Sequence, residues 1–358
     1  MKRVLLLLCM LLFLALPVCA AEEIGVDTDI LEQALPEEAY ELMPEITLDD
    51  MPDFWSGTKN LLLRALAKTN GSLQSGLRLC AILIGLLTLC AVADMSSVNK
   101  FGGAVSAAGA LGICAAFVGE FNAMVTMSQN TIQTLSDYSA CLLPVLATAA
   151  AMSGGMTAAA ALHTGTLLFS ELLLQLISKL LIPGVFFFLA VATAEAALSS
   201  DALKELREFI GWLISKSLRI MLYVFLAFLS LTGVIGGAAD AIAVKTTKAA
   251  MSGMVPVVGG MISDASETIL ASASIIKNSI GVFGMIAVLA ICILPFLKIG
   301  VQYLLLKVTA AISGTVGLKP HVTLLKNFSA AMGYLLAMCG TCSLLLLISG
   351  VCFLKVVV

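Results

Sequence analysis

Residues 280–297 read IGVFGMIAVLAICILPFL, eighteen consecutive positions without a charge. A helix crossing a hydrocarbon core of about 30 Å needs roughly 20 such residues, so this stretch reads as a membrane helix. A second apolar run, 299–316, follows at once. Others lie at 79–93, 101–125, 140–152, 156–178, 180–198, 209–237 and 328–354. Several are too short to cross alone, and together they predict about seven spans. Composition points the same way. Of 358 residues 60% are hydrophobic and 12% charged, against about 25% charged in soluble domains. That excludes a soluble globular enzyme, and it leaves too little charge for a disordered or nucleic-acid-binding protein.

The net charge of −3 hides a segregation. Residues 1–53 hold twelve acids and two bases, and residues 54–358 hold eleven acids and eighteen bases. Lys2 and Arg3, the apolar run Val4–Leu16, Pro17 and the small residues Cys19–Ala21 have the form of a secretory signal peptide over 1–20. An uncleaved signal anchor is the alternative. Residues 21–53 then form an acidic head across the membrane from the cytoplasm. This head reads either as a solvated tether or as a docking strip for a basic partner. Residues 54–78 set Lys59, Arg64 and Lys68 among leucines, as in an amphipathic helix lying on the bilayer surface. The first two transmembrane helices are placed within 79–127. The best cytoplasmic candidate is 201–219, with Lys204, Arg207, Lys216 and Arg219.

The remainder divides into two similar units, 128–237 and 240–354. Leu143-Pro144-Val145, Ser153-Gly154-Gly155 and Leu181-Ile182-Pro183 in the first parallel Val255-Pro256-Val257, Gly259-Gly260 and Ile293-Leu294-Pro295 in the second. The expected fold is therefore all-α: a polytopic membrane helix bundle with an internal repeat and Pro/Gly-broken or re-entrant helices over 140–163 and 253–275. Ordinary kinked helices packed through small residues are the alternative.

Polar residues are densest in the second unit, at Asp240, Lys245, Lys248, Asp264, Glu267, Lys277 and Asn278. Asp264 and Glu267 are three apart and share a helical face. Ionisable groups at membrane depth mark functional centres, whereas at the interface they are merely solvated. Pro144, Lys248, Pro256, Gly259, Asp264, Glu267, Lys277 and Asn278 are thus the candidate functional residues. No catalytic, cofactor or metal site is expected. The chain lacks a phosphate-binding loop, a nucleophile elbow and a zinc-protease motif, and its histidines are His163 and His321. Eight cysteines fall in apolar runs and read as small hydrophobic residues, the Cys339/Cys342 pair included.

One family shares this order of residues. Lys248, Val255-Pro256-Val257-Val258-Gly259, Asp264-Ala265, Thr268, Ser272, Ser274 and Lys277-Asn278 resemble the stage III sporulation protein AE family. Leu143-Pro144 and Ser153-Gly154-Gly155 also fit, as does the layout of signal, acidic head, interfacial helix and polytopic body. The resemblance implies a non-enzymatic membrane component of a channel-like, secretion-like complex between mother cell and forespore, needed for forespore development. Its implied location is the mother-cell membrane surrounding the forespore. Its implied partners are the other stage III sporulation A-operon proteins, among them a secretion-type ATPase and ring-forming proteins, together with membrane lipid and without nucleic acid. The alternative from another class is a stand-alone ion- or solute-coupled permease using Glu120, Glu171, Glu195 and the acids of 240–278.

Overall fold

The computed structural model describes residues 29–43, 54–96, 102–153, 155–198, 200–254, 259–315 and 318–355, with the side chains of 29, 30, 70, 96, 102, 232–254 and 259–277 outside that description. Two short helices, α1 (Asp29–Gln33) and α2 (Glu37–Tyr40), precede α3 (Phe54–Lys68) and α4 (Asn70–Ser96). The body continues with α5 (Gly102–Met152) and α6 (Met156–Leu176). A π-helical segment, Ile177–Leu181, joins α6 to α7 (Ile182–Leu198). Then come α8 (Asp201–Met254), α9 (Gly259–Ser313) and α10 (Lys319–Lys355). No strand occurs among the described residues. The protein is an all-α polytopic helix bundle.

Six helical stretches in the described residues are long and apolar enough to cross a membrane: Gly71–Met95, Gly103–Met152, Met156–Leu198, Asp201–Leu231, Asn278–Ser313 and Lys319–Lys355. The sequence runs outnumber them because neighbouring runs fuse. Runs 101–125 and 140–152 are two parts of α5, and 280–297 and 299–316 fuse within α9. Polar residues alone do not end a helix. Across 127–139, Gln133 Nε2 donates to Asp137 Oδ1 at 2.8 Å, and the Thr131 hydroxyl donates to the Met127 carbonyl at 2.8 Å. These local bonds carry α5 through its polar middle. At about 1.5 Å per residue, the 51 residues of α5 reach about 75 Å, more than twice the hydrocarbon thickness.

Pro144 and Pro295 do not break the helices that contain them. Pro144 is exposed inside α5, which runs on to Met152, so the expected break at Pro144 is corrected. The chain turns at 153–155 instead. There the Ser153 hydroxyl donates to the Ala150 carbonyl at 2.8 Å, and the Gly155 amide donates to the same carbonyl at 3.1 Å. Pro295 likewise lies inside α9. Pro183 sits just past the π segment. A proline lacks its N–H and its ring crowds the carbonyl four residues back, here that of Lys179; the wider π turn makes room without ending the helix. Pro256 lies outside the described residues.

The helices α9 and α10 form the centre. Their most apolar windows are 72% and 56% buried, against 22% for Asp201–Leu231 on the periphery. Helix α5 packs against both, and also against α4, α6 and α7. Phe117 of α5 stacks on Phe328 of α10 with ring centroids 4.1 Å apart, and both rings are fully buried. Because lipid tails are as apolar as the core, such packing contacts hold helices together inside a bilayer. A buried hydroxyl pair, Thr166 of α6 and Ser349 of α10 at 2.5 Å, adds a polar tie.

The acidic head is docked on the body. Leu31, Ala39, Leu42 and Met43 are buried, and α1 and α2 contact α5 and α9. Lys68 of α3 pairs with Glu41, and Arg64 Nη1 donates to the Leu42 carbonyl at 3.4 Å. For residues 29–43, this corrects the expectation of a solvated tether, while Glu37, Glu38 and Glu41 stay exposed. The bases beside the head are those of its own chain.

Candidate functional site

The sequence candidates do not assemble into one site among the described side chains. Lys248 lies in α8, Gly259 opens α9, and Asp264, Glu267 and Lys277 follow in α9. The side chains of all five, and Pro256 altogether, lie outside the described residues. Asn278 is exposed on α9, and Pro144 is exposed on α5.

What the fold does bring together is a polar seam where α4, α5, α7, α8 and α10 meet. It lies at the end of the bundle marked by the α7–α8 and α9–α10 connections. Helices α7 and α8 are joined by a connection at 199–200, so the end of one faces the start of the other. Across that hairpin, Arg207 Nε donates to Glu195 Oε2 at 2.6 Å, with the two side chains 13% and 14% exposed. The Arg207 Nη2 also reaches exposed Glu208 at 3.5 Å. Ordinary sequence spacing hides this pair, because residues twelve apart meet only when a hairpin intervenes.

His321 enters from the first turn of α10 and is fully buried. Its Nε2 lies 3.0 Å from the Ser106 carbonyl of α5. A carbonyl only accepts, so Nε2 is the donor. The Nδ1 has no partner among the described residues. The Ser106 hydroxyl in turn donates to the Ala196 carbonyl of α7 at 3.3 Å. Helix α5 can approach this closely because residue 109 is glycine. A Cβ there would stand 2.6 Å from Cys90 Sγ and 2.9 Å from His321 Nε2. Gly211 of α8 serves Tyr334 of α10 in the same way, with its would-be Cβ 2.5 Å from the phenolic oxygen.

A larger cavity of about 510 Å³ lies under the docked head. Glu37 and Glu38 border it from α2, Asn130 and Thr134 from α5, and Pro295 and Lys298 from α9. Pro295 leaves the Ile291 carbonyl without its helical donor, and both residues line this space. The cysteines Cys292, Cys339 and Cys342 are buried free thiols.

With this geometry in place, comparison with known proteins is informative. The family model described as stage III sporulation protein AE matches residues 41–355, nearly the whole body. The chain belongs to the stage III sporulation protein AE family. It is 26% identical over 229 residues to the stage III sporulation protein AE of Bacillus subtilis (strain 168). That match covers 64% of this chain and 57% of the relative's length. No solved structure matches the chain. The family match takes in Glu41 of the head and every residue of the polar seam, so the seam belongs to the part of the chain that family members share. It is a multi-pass membrane protein of a sporulation family.

Proposed function

We infer that the protein is a non-enzymatic integral component of a channel-like, secretion-like complex linking mother cell and forespore, and that forespore development requires it. The observation that carries this reading is family membership over 41–355. The fold is compatible with it: a bundle of helices far longer than a bilayer is thick offers long faces to other subunits. Its partners in this reading are a secretion-type ATPase and ring-forming proteins of the same sporulation group. Its location is the mother-cell membrane around the forespore. The seam end carries Lys204, Arg207, Lys319 and Lys326, which supports a cytoplasmic orientation for that end. The head, docked against the middle of α5 well away from the seam, is then extracytoplasmic.

The test replaces Asp264 with Asn and Lys277 with Ala in the sporulating organism. Sporulation should arrest after engulfment while the protein stays in the membrane. Normal spore yield with both replaced would sink a role for that polar segment. Gradient-driven solute uptake by the purified protein in liposomes, without partners, would instead establish the stand-alone permease.

A further inference from the structure

The outward side of α8 carries a stripe that differs from the apolar surface around it. Ile210, Ile214, Leu218, Phe225 and Leu229 are buried and face the body. Trp212, Lys216, Arg219 and Tyr223 recur at spacings of four, three and four, so they share the opposite face. All four are exposed. Phe209 stacks on Trp212 with ring centroids 6.0 Å apart. A third base stands level with them on the neighbouring rod, which runs antiparallel to α8. Toward the seam, a Cβ on Gly184 of α7 would lie 3.7 Å from Ile214 Cγ1. Away from it, Phe169 of α6 meets Phe225 with centroids 5.3 Å apart. Exposed Lys179, in the π-helical segment between those two contacts, is therefore level with Lys216 and Arg219.

None of the three bases makes an ion pair among the described residues. The acids of the same helices are engaged or distant. Glu171 accepts from Gln175 Nε2 at 2.8 Å, and Arg207 holds Glu195 and Glu208. Asp201 and Glu205 lie about three turns or more from Lys216 along α8. The exposed surface around the bases is apolar, with Phe186 and Phe187 toward the seam and Leu172 and Val224 away from it. Cations are costly inside hydrocarbon, so bases on such a surface mark where the hydrocarbon ends. On α8 only the seven residues 209–215 separate Glu208 from Lys216, too few to cross, whereas the twenty residues 220–239 carry no charge. The hydrocarbon along α8 thus lies on the Ile220 side, with Lys216 and Arg219 at its edge. Tryptophan and tyrosine gather at that same level, where anionic headgroups attract Lys and Arg.

We propose that Lys179, Lys216 and Arg219 form a docking surface for anionic phospholipid headgroups, with Trp212 and Tyr223 seated at the same interface. The full-length protein is reconstituted in phosphatidylcholine nanodiscs with or without phosphatidylglycerol and followed by thermal unfolding and native mass spectrometry. Phosphatidylglycerol should raise the unfolding temperature and stay bound. The double variant Lys216→Gln/Arg219→Gln should cut its retention at least about tenfold, and the charge-keeping Lys216→Arg/Arg219→Lys should restore it. Lys307→Gln removes an exposed base that is bonded to Tyr303 Oη at 3.1 Å and should change nothing. The substituted positions are exposed, so the variants should fold. Depth is read separately. In a Trp55→Phe background Trp212 is the remaining tryptophan, and a nitroxide on the lipid headgroup should quench its emission more than one at the acyl-chain end. Stronger quenching from the chain end overturns the proposal. Unchanged phosphatidylglycerol retention in the double Gln variant overturns it too, and leaves an acidic protein as the partner that these bases would meet.

Discussion

Arg207 and Glu195 are joined by a 2.6 Å hydrogen-bonded ion pair that closes the α7–α8 hairpin, and both are largely shielded from water. Removing one partner of such a pair leaves the other charge desolvated, at a cost of about 3–5 kcal/mol. Arg207→Ala should therefore lower the unfolding temperature sharply in detergent. The double replacement Glu195→Gln/Arg207→Gln should be milder than Arg207→Ala alone. A double replacement as damaging as the single one would show that the pair's charge is not what matters.

Gly109 sets the approach of α4, α5 and α10. Gly109→Ala places a methyl 2.6 Å from Cys90 Sγ and 2.9 Å from His321 Nε2, and overpacking of this kind costs about 1–3 kcal/mol. Thermal unfolding should register the loss. Adding Cys90→Ala should recover part of it, since the sulfur is the nearest obstacle.

The head is held by apolar burial more than by charge. Lys68 and Glu41 are 44% and 56% exposed, and exposed ion pairs contribute about 0–1 kcal/mol. Glu41→Ala should leave stability almost unchanged. Leu42→Asp puts a carboxylate into a buried site and should release 29–43 to limited proteolysis. Equal protection in both variants would mean that other contacts hold the head.

Topology can be read with single engineered cysteines in a background where the half-buried Cys90, Cys114, Cys141 and Cys352 are replaced by Ala. Asp201→Cys at the seam end and Glu38→Cys on the head are both exposed positions. A membrane-impermeant maleimide applied from outside should label the second and spare the first. Labelling of both from one side would contradict an orientation with the two ends on opposite faces.

The apolar runs made the helical membrane class plain, because eighteen uncharged residues such as 280–297 have few other uses. Helix continuity was harder to see. Pro144 and Pro295 look like stops, yet packing against α9, α10 and α5 keeps the helices going. The stop after Met152 lies at Ser153 and Gly155, whose hydroxyl and amide both reach the Ala150 carbonyl, rather than at a proline. The seam was less legible still. Glu195 and Arg207 fall in different apparent segments, and His321 meets Ser106 only through a fold that places α10 on α5. For the head, composition indicated a solvated acid-rich strip, but Leu31, Leu42 and Met43 supplied enough apolar surface to dock it.

The length of α5 also has a mechanical meaning. A rod of about 75 Å that pivots by about 10° at one end moves its other end by about 13 Å. With α5 unbroken from Gly102 to Met152, a small rocking at the polar seam becomes a displacement of several side-chain widths at the far end. The helix is a lever, and its polar middle lies near the arm's midpoint.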